Sequence, residues 1–189
     1  MSVLTVTKKP VKKKATKVVP TKKASKKLKA ATTSKNDVKP KLYASLVVQL
    51  LSLLKGEHDF VANAANFSAL LFNSLPNVNW AGFYFLQGEE LVLGPFQGNP
   101  ACVRIPLGKG VCGTAATTRT TQVVADVNAF AGHIACDSAS RSECVVPLFA
   151  ADGALIGVLD LDSPEPARFD AEDAAGLEAI AAAFVESLA

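Results

Sequence analysis

Apolar residues recur every three or four positions in KLYASLVVQLLSLLKGE (41–57) and again in FVANAANFSALLFNSLP (60–76). That spacing marks one face of an α-helix and predicts two amphipathic helices. The first ends near Gly56 and the second is stopped by Pro76. The period then changes. NWAGFYFLQGEELVLGPFQG (79–98) holds two aromatic and β-branched runs around Gln87-Gly88-Glu89, the pattern of a hairpin. CVRIPL (102–107) reads as a short strand, GKGVCGTAATTRT (108–120) as one or two helical turns opened by glycines, and TQVVADV (121–127) as another strand. A polar loop, 126–140, precedes ECVVPLFAADGALIGVLDLDS (143–163), a second hairpin whose Asp152-Gly153 suits a tight turn. The chain closes on a helix capped by Asp170, with Leu177, Ile180, Phe184 and Leu188 along one face. This order of elements predicts an α+β domain: a mostly antiparallel central sheet with helices packed on its faces. Fifteen residues are long for a connection in so compact a unit, and long loops tend to carry function.

Charge divides the chain in two. Residues 1–40 hold thirteen lysines and one acidic residue, Asp37, while 41–189 carry a net −9, so the overall +3 describes neither part. The first forty residues contain no aromatic residue and no glycine. They offer too little apolar surface to offset the entropy of ordering, which predicts a disordered Lys-rich extension (1–40) ahead of one folded domain (41–189). The runs KKPVKKK and KKASKKLK suit a polyanion or an import receptor. No uninterrupted apolar segment suggests a secretory signal, and none approaches the ~18 residues of a membrane span. The absence of Arg from the extension argues against a mitochondrial presequence. The expectation is a cytoplasmic protein, with nuclear import through its lysines as the alternative.

In a reducing compartment four cysteines are more naturally catalytic or metal-binding than structural. They stand at 102, 112, 136 and 144, without a CxxC pair and with only two histidines, His58 and His133, in the chain. Such spacing argues against structural zinc, and no metal is expected. Cys144 lies within an apolar strand and reads as a small core residue. Cys102 sits at a strand entrance, Cys112 between glycines at a helix start where backbone N–H groups favour a thiolate, and Cys136 beside Asp137 in the polar loop. Spacing alone leaves these three open between inert and reactive.

The segments NWAGFYF, ELVLGPFQGNPACVRIPLGKGVCGTAA, TQVVADV, GHIACDSASRSE and GVLDLDSP together resemble the free methionine-(R)-sulfoxide reductase family, a catalytic branch of the GAF-domain superfamily. The resemblance covers about 41–189. It implies a GAF-like fold, a homodimer, no cofactor, reduction of the R-epimer of free methionine sulfoxide, and recycling by thioredoxin. By the same resemblance Cys136 is the attacking cysteine, Cys102 the resolving one and Cys112 an auxiliary thiol, so a Cys102–Cys136 disulfide is expected after one cycle. Glu143 is the proton donor; without the resemblance it reads as a strand-end carboxylate paired with Arg141.

A free amino acid also presents an ammonium group. Asp160 and Asp162 alternate along LDLDS and so project from one strand face, with Leu161 on the other. Two carboxylates there are costly unless a cation uses them, and the substrate ammonium is the natural one. Trp80 and Tyr84 also share a face and are placed to wall the S-methyl group, although core packing would explain them as well. Backbone N–H groups in 134–138 are candidates for the substrate carboxylate or the sulfoxide oxygen. Two features depart from the family: Cys144, where an aliphatic residue is expected, and the lysine extension. A noncatalytic GAF sensor of a cyclic nucleotide or chromophore has no use for three cysteines plus this acidic set. A nucleic-acid role rests on the extension alone.

Overall fold

The computed structural model describes residues 38–134 and 136–188; the lysine-rich segment 1–37 lies outside the described residues. Helix α1 (Val38–Leu53) begins three residues before position 41, with Pro40 in its first turn, where its missing N–H would have had no helical acceptor. Helix α2 (Phe60–Ser74) is capped by Asp59, whose carboxylate accepts from the Ala62 N–H. Strands β1 (Trp80–Gln87) and β2 (Glu90–Gly98) form the first hairpin, β3 (Arg104–Pro106) borders it, and β4 (Gln122–Val124) is equally short. Strands β5 (Ser142–Phe149) and β6 (Leu155–Ser163) form the second hairpin. Its connection is five residues, with the Ala150 N–H donating to Ala154 and the Gly153 N–H to Ala150, so the turn is wider than Asp152-Gly153 suggests. Helix α3 (Gly110–Thr118) is nine residues long, more than the one or two turns expected. Helix α4 (Ala171–Glu186) carries a capping box between Asp170 and Asp173.

All six strands join one antiparallel sheet in the order β3-β2-β1-β6-β5-β4. Strand alternation then separates two cores. Ala81, Phe83, Cys144, Val146, Leu159 and Leu161 pack beneath α1, α2 and α4, around Phe67 and Phe184. Trp80, Tyr84, Val145 and Val158 face the opposite way, toward α3 and its Val111, Ala115 and Ala116. The first face is a dry core. The second contains the polar residues of interest. Among the described residues no helix is long and apolar enough to cross a membrane.

The start of α1 is fastened to the start of α4. Lys39 Nζ lies 2.6 Å from both Asp170 and Asp173. Asp173, buried, also accepts from the Tyr43 hydroxyl at 2.8 Å and pairs with Arg168 at 3.1 Å. A chain beginning at Lys41 is therefore expected to be less stable than one beginning at Val38. The loss of a charge-assisted contact to a buried carboxylate corresponds to about 1–2 kcal/mol. Equal denaturation midpoints for the two truncated chains would show that the Lys39 contacts carry no stability.

Candidate active site

The antiparallel register builds the site. Across three neighbouring strands Trp80 stands opposite Asp162, and Asp162 opposite Glu143. One step further, Gly82 stands opposite Asp160, and Asp160 opposite Val145. Glu143, Asp160 and Asp162 thus share the face turned toward α3, as the alternation of LDLDS requires. They line a small cavity of about 30 Å³ together with Tyr84, Cys112, His133 and Cys136. Helix α3 forms its roof. It can lie this close to β3 because position 113 is glycine: a Cβ there would stand 2.5 Å from the Pro106 carbonyl oxygen. Gly110, at φ +60°, begins the helix in the left-handed region that favours glycine, next to Ile134 of the polar loop.

The loop is held at both ends. Asp126 caps a short 3-10 turn at Val127–Ala129. Asp137 accepts from the side-chain amides of Asn79 and Asn99, both at 3.2 Å, and from the Ala139 N–H at 2.9 Å. Between these anchors, Cys136 is disulfide-bonded to Cys102, with a Cα–Cα distance of 5.1 Å across 34 positions of sequence. Both cysteines are half-buried. Cys112 and Cys144 are free and buried, but on opposite faces of the sheet.

Electrostatics in the cavity are set by burial. Glu143 is pushed up to about 9, first by loss of solvent and then by the Asp160 charge. Burial raises Asp160 to about 7, partly countered by the hydrogen bond from the Cys112 thiol at 3.2 Å. Asp162 rises well above the usual carboxylate range through burial, then through Asp160 and Glu143, with a Ser140 hydrogen bond opposing. Glu143 therefore keeps its proton near neutral pH, the condition for a carboxyl to act as an acid, while Asp160, at about 7, is partly ionised there. Asp160 Oδ1 is buried without a hydrogen-bond partner among the described residues.

Several placements differ from the sequence reading. Cys112 does sit in the first turn of a helix, but its thiolate is disfavoured: burial, Asp160 and Glu143 push the thiol well up. The helix N-terminus is outweighed by carboxylates that register, not sequence proximity, brings to it. Glu143 has His133 as its neighbour, Nε2 to Oε1 3.9 Å, in place of Arg141; burial lowers the imidazole and raises the carboxyl, so the two meet as neutral groups near pH 7. Tyr84 lines the cavity, whereas Trp80 lies behind it, stacked between Tyr84 (5.7 Å) and Phe96 (5.2 Å), with its indole N–H donating to the Asn99 carbonyl. His133 was not singled out from sequence. Its signal was adjacency to Cys136 in the one long polar loop.

The GAF domain family model matches residues 50–188. The free methionine-R-sulfoxide reductase of Escherichia coli K12 is 51% identical over 151 residues, covering 80% of this chain and 91% of that protein. The reduced fRMsr of Staphylococcus aureus superposes with a TM-score of 0.75 at 56% identity, over 78% of this chain and 95% of that one. The free methionine-R-sulfoxide reductase of Neisseria meningitidis, solved in complex with its substrate, superposes with a TM-score of 0.76 at 48% identity, over 79% and 90% of the respective chains. With that identity spread over nearly the whole of each relative, the chain belongs to the GAF-domain family and, within it, to the free methionine-R-sulfoxide reductases.

Proposed function

We propose that the chain reduces the R-epimer of free L-methionine sulfoxide, with Cys136 as nucleophile, Cys102 as resolving thiol and thioredoxin as the recycling dithiol. The observation that carries this reading is the Cys102–Cys136 disulfide at the rim of a cavity in which burial keeps the Glu143 carboxyl protonated. The reaction balances on these groups. The Cys136 thiolate attacks the sulfinyl sulfur while Glu143 delivers a proton to the oxygen. The oxygen passes to Cys136 as sulfenic acid and methionine leaves. The Cys102 thiol then displaces that oxygen as water, and the disulfide forms. Two electrons from thioredoxin's dithiol restore both thiols. Asp160 and Asp162 receive the substrate ammonium, which gives the unpartnered Asp160 Oδ1 a donor. Tyr84, buttressed by Trp80, walls the methyl group.

A cavity of about 30 Å³ admits one water, far less than an amino acid. Substrate therefore enters only after the disulfide is reduced and the 126–140 loop releases its contact with α3. The lysine-rich segment is proposed to contribute nothing to this chemistry and to set where a cytoplasmic enzyme accumulates. Two copies of the chain are proposed to associate, as the family resemblance implies.

The test is substrate choice. With a thioredoxin system, the free R-epimer should turn over, while the S-epimer and an N-acetylated, amidated sulfoxide should be slower by at least ~100-fold, since the blocked compound leaves two buried carboxyls without a partner. Comparable rates on free and blocked sulfoxides would remove the ammonium assignment.

A further inference from the structure

We propose that Cys112, Glu143 and Asp160 form a binding site for a thiophilic divalent cation, zinc or cadmium, that occupies the ammonium end of the pocket. The competition with substrate rests on the reductase reading above; the binding itself does not. Three elements supply the donors: the first turn of α3, the start of β5 and the middle of β6. One thiol sulfur and one oxygen from each carboxyl lie within 4.8 Å of one another, and all three residues are buried. Around a four-coordinate zinc, with bonds of about 2.3 Å to sulfur and about 2.0–2.2 Å to oxygen, donors stand roughly 3.5 Å apart. The set needs only a small contraction about the cavity it already lines. Asp160 Oδ1, fully buried and unpartnered among the described residues, supplies an unused lone pair. The imidazole of His133 lies 3.9 Å from Glu143, outside this cluster, so the fourth position is left to a water molecule.

The chemistry selects the ion. A sulfur donor with two carboxylates favours soft or borderline four-coordinate cations over magnesium or calcium, which take six or more oxygens. Without a cation Cys112 must remain a thiol, because burial and two carboxyl groups oppose its ionisation. A divalent cation reverses that balance: thiolate and carboxylates become its ligands and their protons are released. The same event takes from Glu143 the proton that sulfoxide reduction requires. Zinc is thus an inhibitor, with an affinity that rises steeply with pH. The 112–143–160 spacing does not reveal the site in sequence. It exists only in the register.

Oxidised protein is the appropriate sample, because the Cys102–Cys136 pair is then unavailable as a competing thiol ligand. Titration with cadmium, in the absence of substrate, is expected to saturate at one equivalent with the ultraviolet charge-transfer band of a cadmium–thiolate bond. Calorimetry with zinc in two buffers should show proton release. Cys112→Ser should abolish the band, Asp160→Asn should weaken binding at least tenfold, and Cys144→Ser, on the other face of the sheet, should change neither. Near-ultraviolet dichroism confirms that each variant retains the fold. If one variant unfolds, the remaining variants still decide the assignment. Absence of a band, or a band that survives Cys112→Ser or disappears with Cys144→Ser, overturns the site and leaves the reductase reading intact. In reduced enzyme, micromolar zinc should raise KM and be reversed by a chelator; inhibition that persists undiminished in Cys112→Ser would place the inhibitory ion elsewhere.

Discussion

Cys136→Ser is expected to form no methionine even in a single turnover, whereas Cys102→Ser should release one methionine per site and then stop. A serine hydroxyl is almost wholly un-ionised at neutral pH and is a poor nucleophile toward sulfur, so the first variant lacks the step that breaks the S–O bond. The second retains that step and lacks only the thiol that displaces the sulfenic oxygen. Its stalled enzyme should carry one sulfenic acid, trappable by a dimedone-type reagent, and should restart with an added small dithiol. Cys112 is a poor substitute for Cys102, because burial and the neighbouring Asp160 hold it as a thiol, so Cys102→Ser/Cys112→Ser should stall in the same way. Cys144→Ser should turn over normally: the residue is buried beneath α1 and α4, away from the cavity. A Cys136→Ser protein that yields one methionine, beside a Cys102→Ser protein that yields none, would exchange the two roles. The 5.1 Å Cα separation satisfies either order of attack, so only this kinetic contrast assigns them.

Some of this molecule was legible in the sequence, and the reason is periodicity. The apolar runs of β1, β5 and β6, bounded by turn residues, and the helical spacing of α1, α2 and α4 are local signals, and Asp170 caps its helix as its position suggests. Helix α3 was read too short because GVCGTAATT is built from small residues with no apolar stripe. The start of α1 was read too late because Val38-Lys39-Pro40 follows the lysine run without a change in composition. Lys39 in this stretch is held by contacts 131 and 134 residues away, to Asp170 and Asp173, which no local pattern contains. In the site, the shared face of Asp160 and Asp162 followed from strand alternation, and the pairing of Cys102 with Cys136 was implied by resemblance. What no local pattern contained was the register that sets Glu143 and Asp160 against Cys112. That register turns a thiol expected to ionise easily into one that resists ionisation, and gives Glu143 His133 as a neighbour. Electrostatics at a site depend on what the fold brings across strands, and spacing carries that information only weakly.

Glu143→Gln should show opposite effects on activity and stability. Loss of the proton donor is expected to lower kcat by about 10²–10⁴-fold, because the amide can hydrogen-bond to the sulfoxide oxygen but cannot protonate it. The same variant should be more stable than the parent at neutral pH. Glu143 has a folded pKa of about 9 against an ordinary 4.5, raised by burial and by the Asp160 charge. Below pH 4.5 the carboxyl is protonated in both folded and unfolded chains, and its stabilising contribution is fully present. As pH rises from 4.5 toward 9, the unfolded chain releases the proton and the folded chain retains it, so stability is lost across that window and levels off above it. At pH 7 the loss amounts to roughly 3 kcal/mol, which the uncharged amide does not incur. Denaturant midpoints of the oxidised parent and variant should therefore coincide near pH 4 and separate progressively up to pH 9, with the variant the more stable. A gap independent of pH would mean that Glu143 titrates alike in both states, and its role as the proton-bearing acid near neutrality would fail with it.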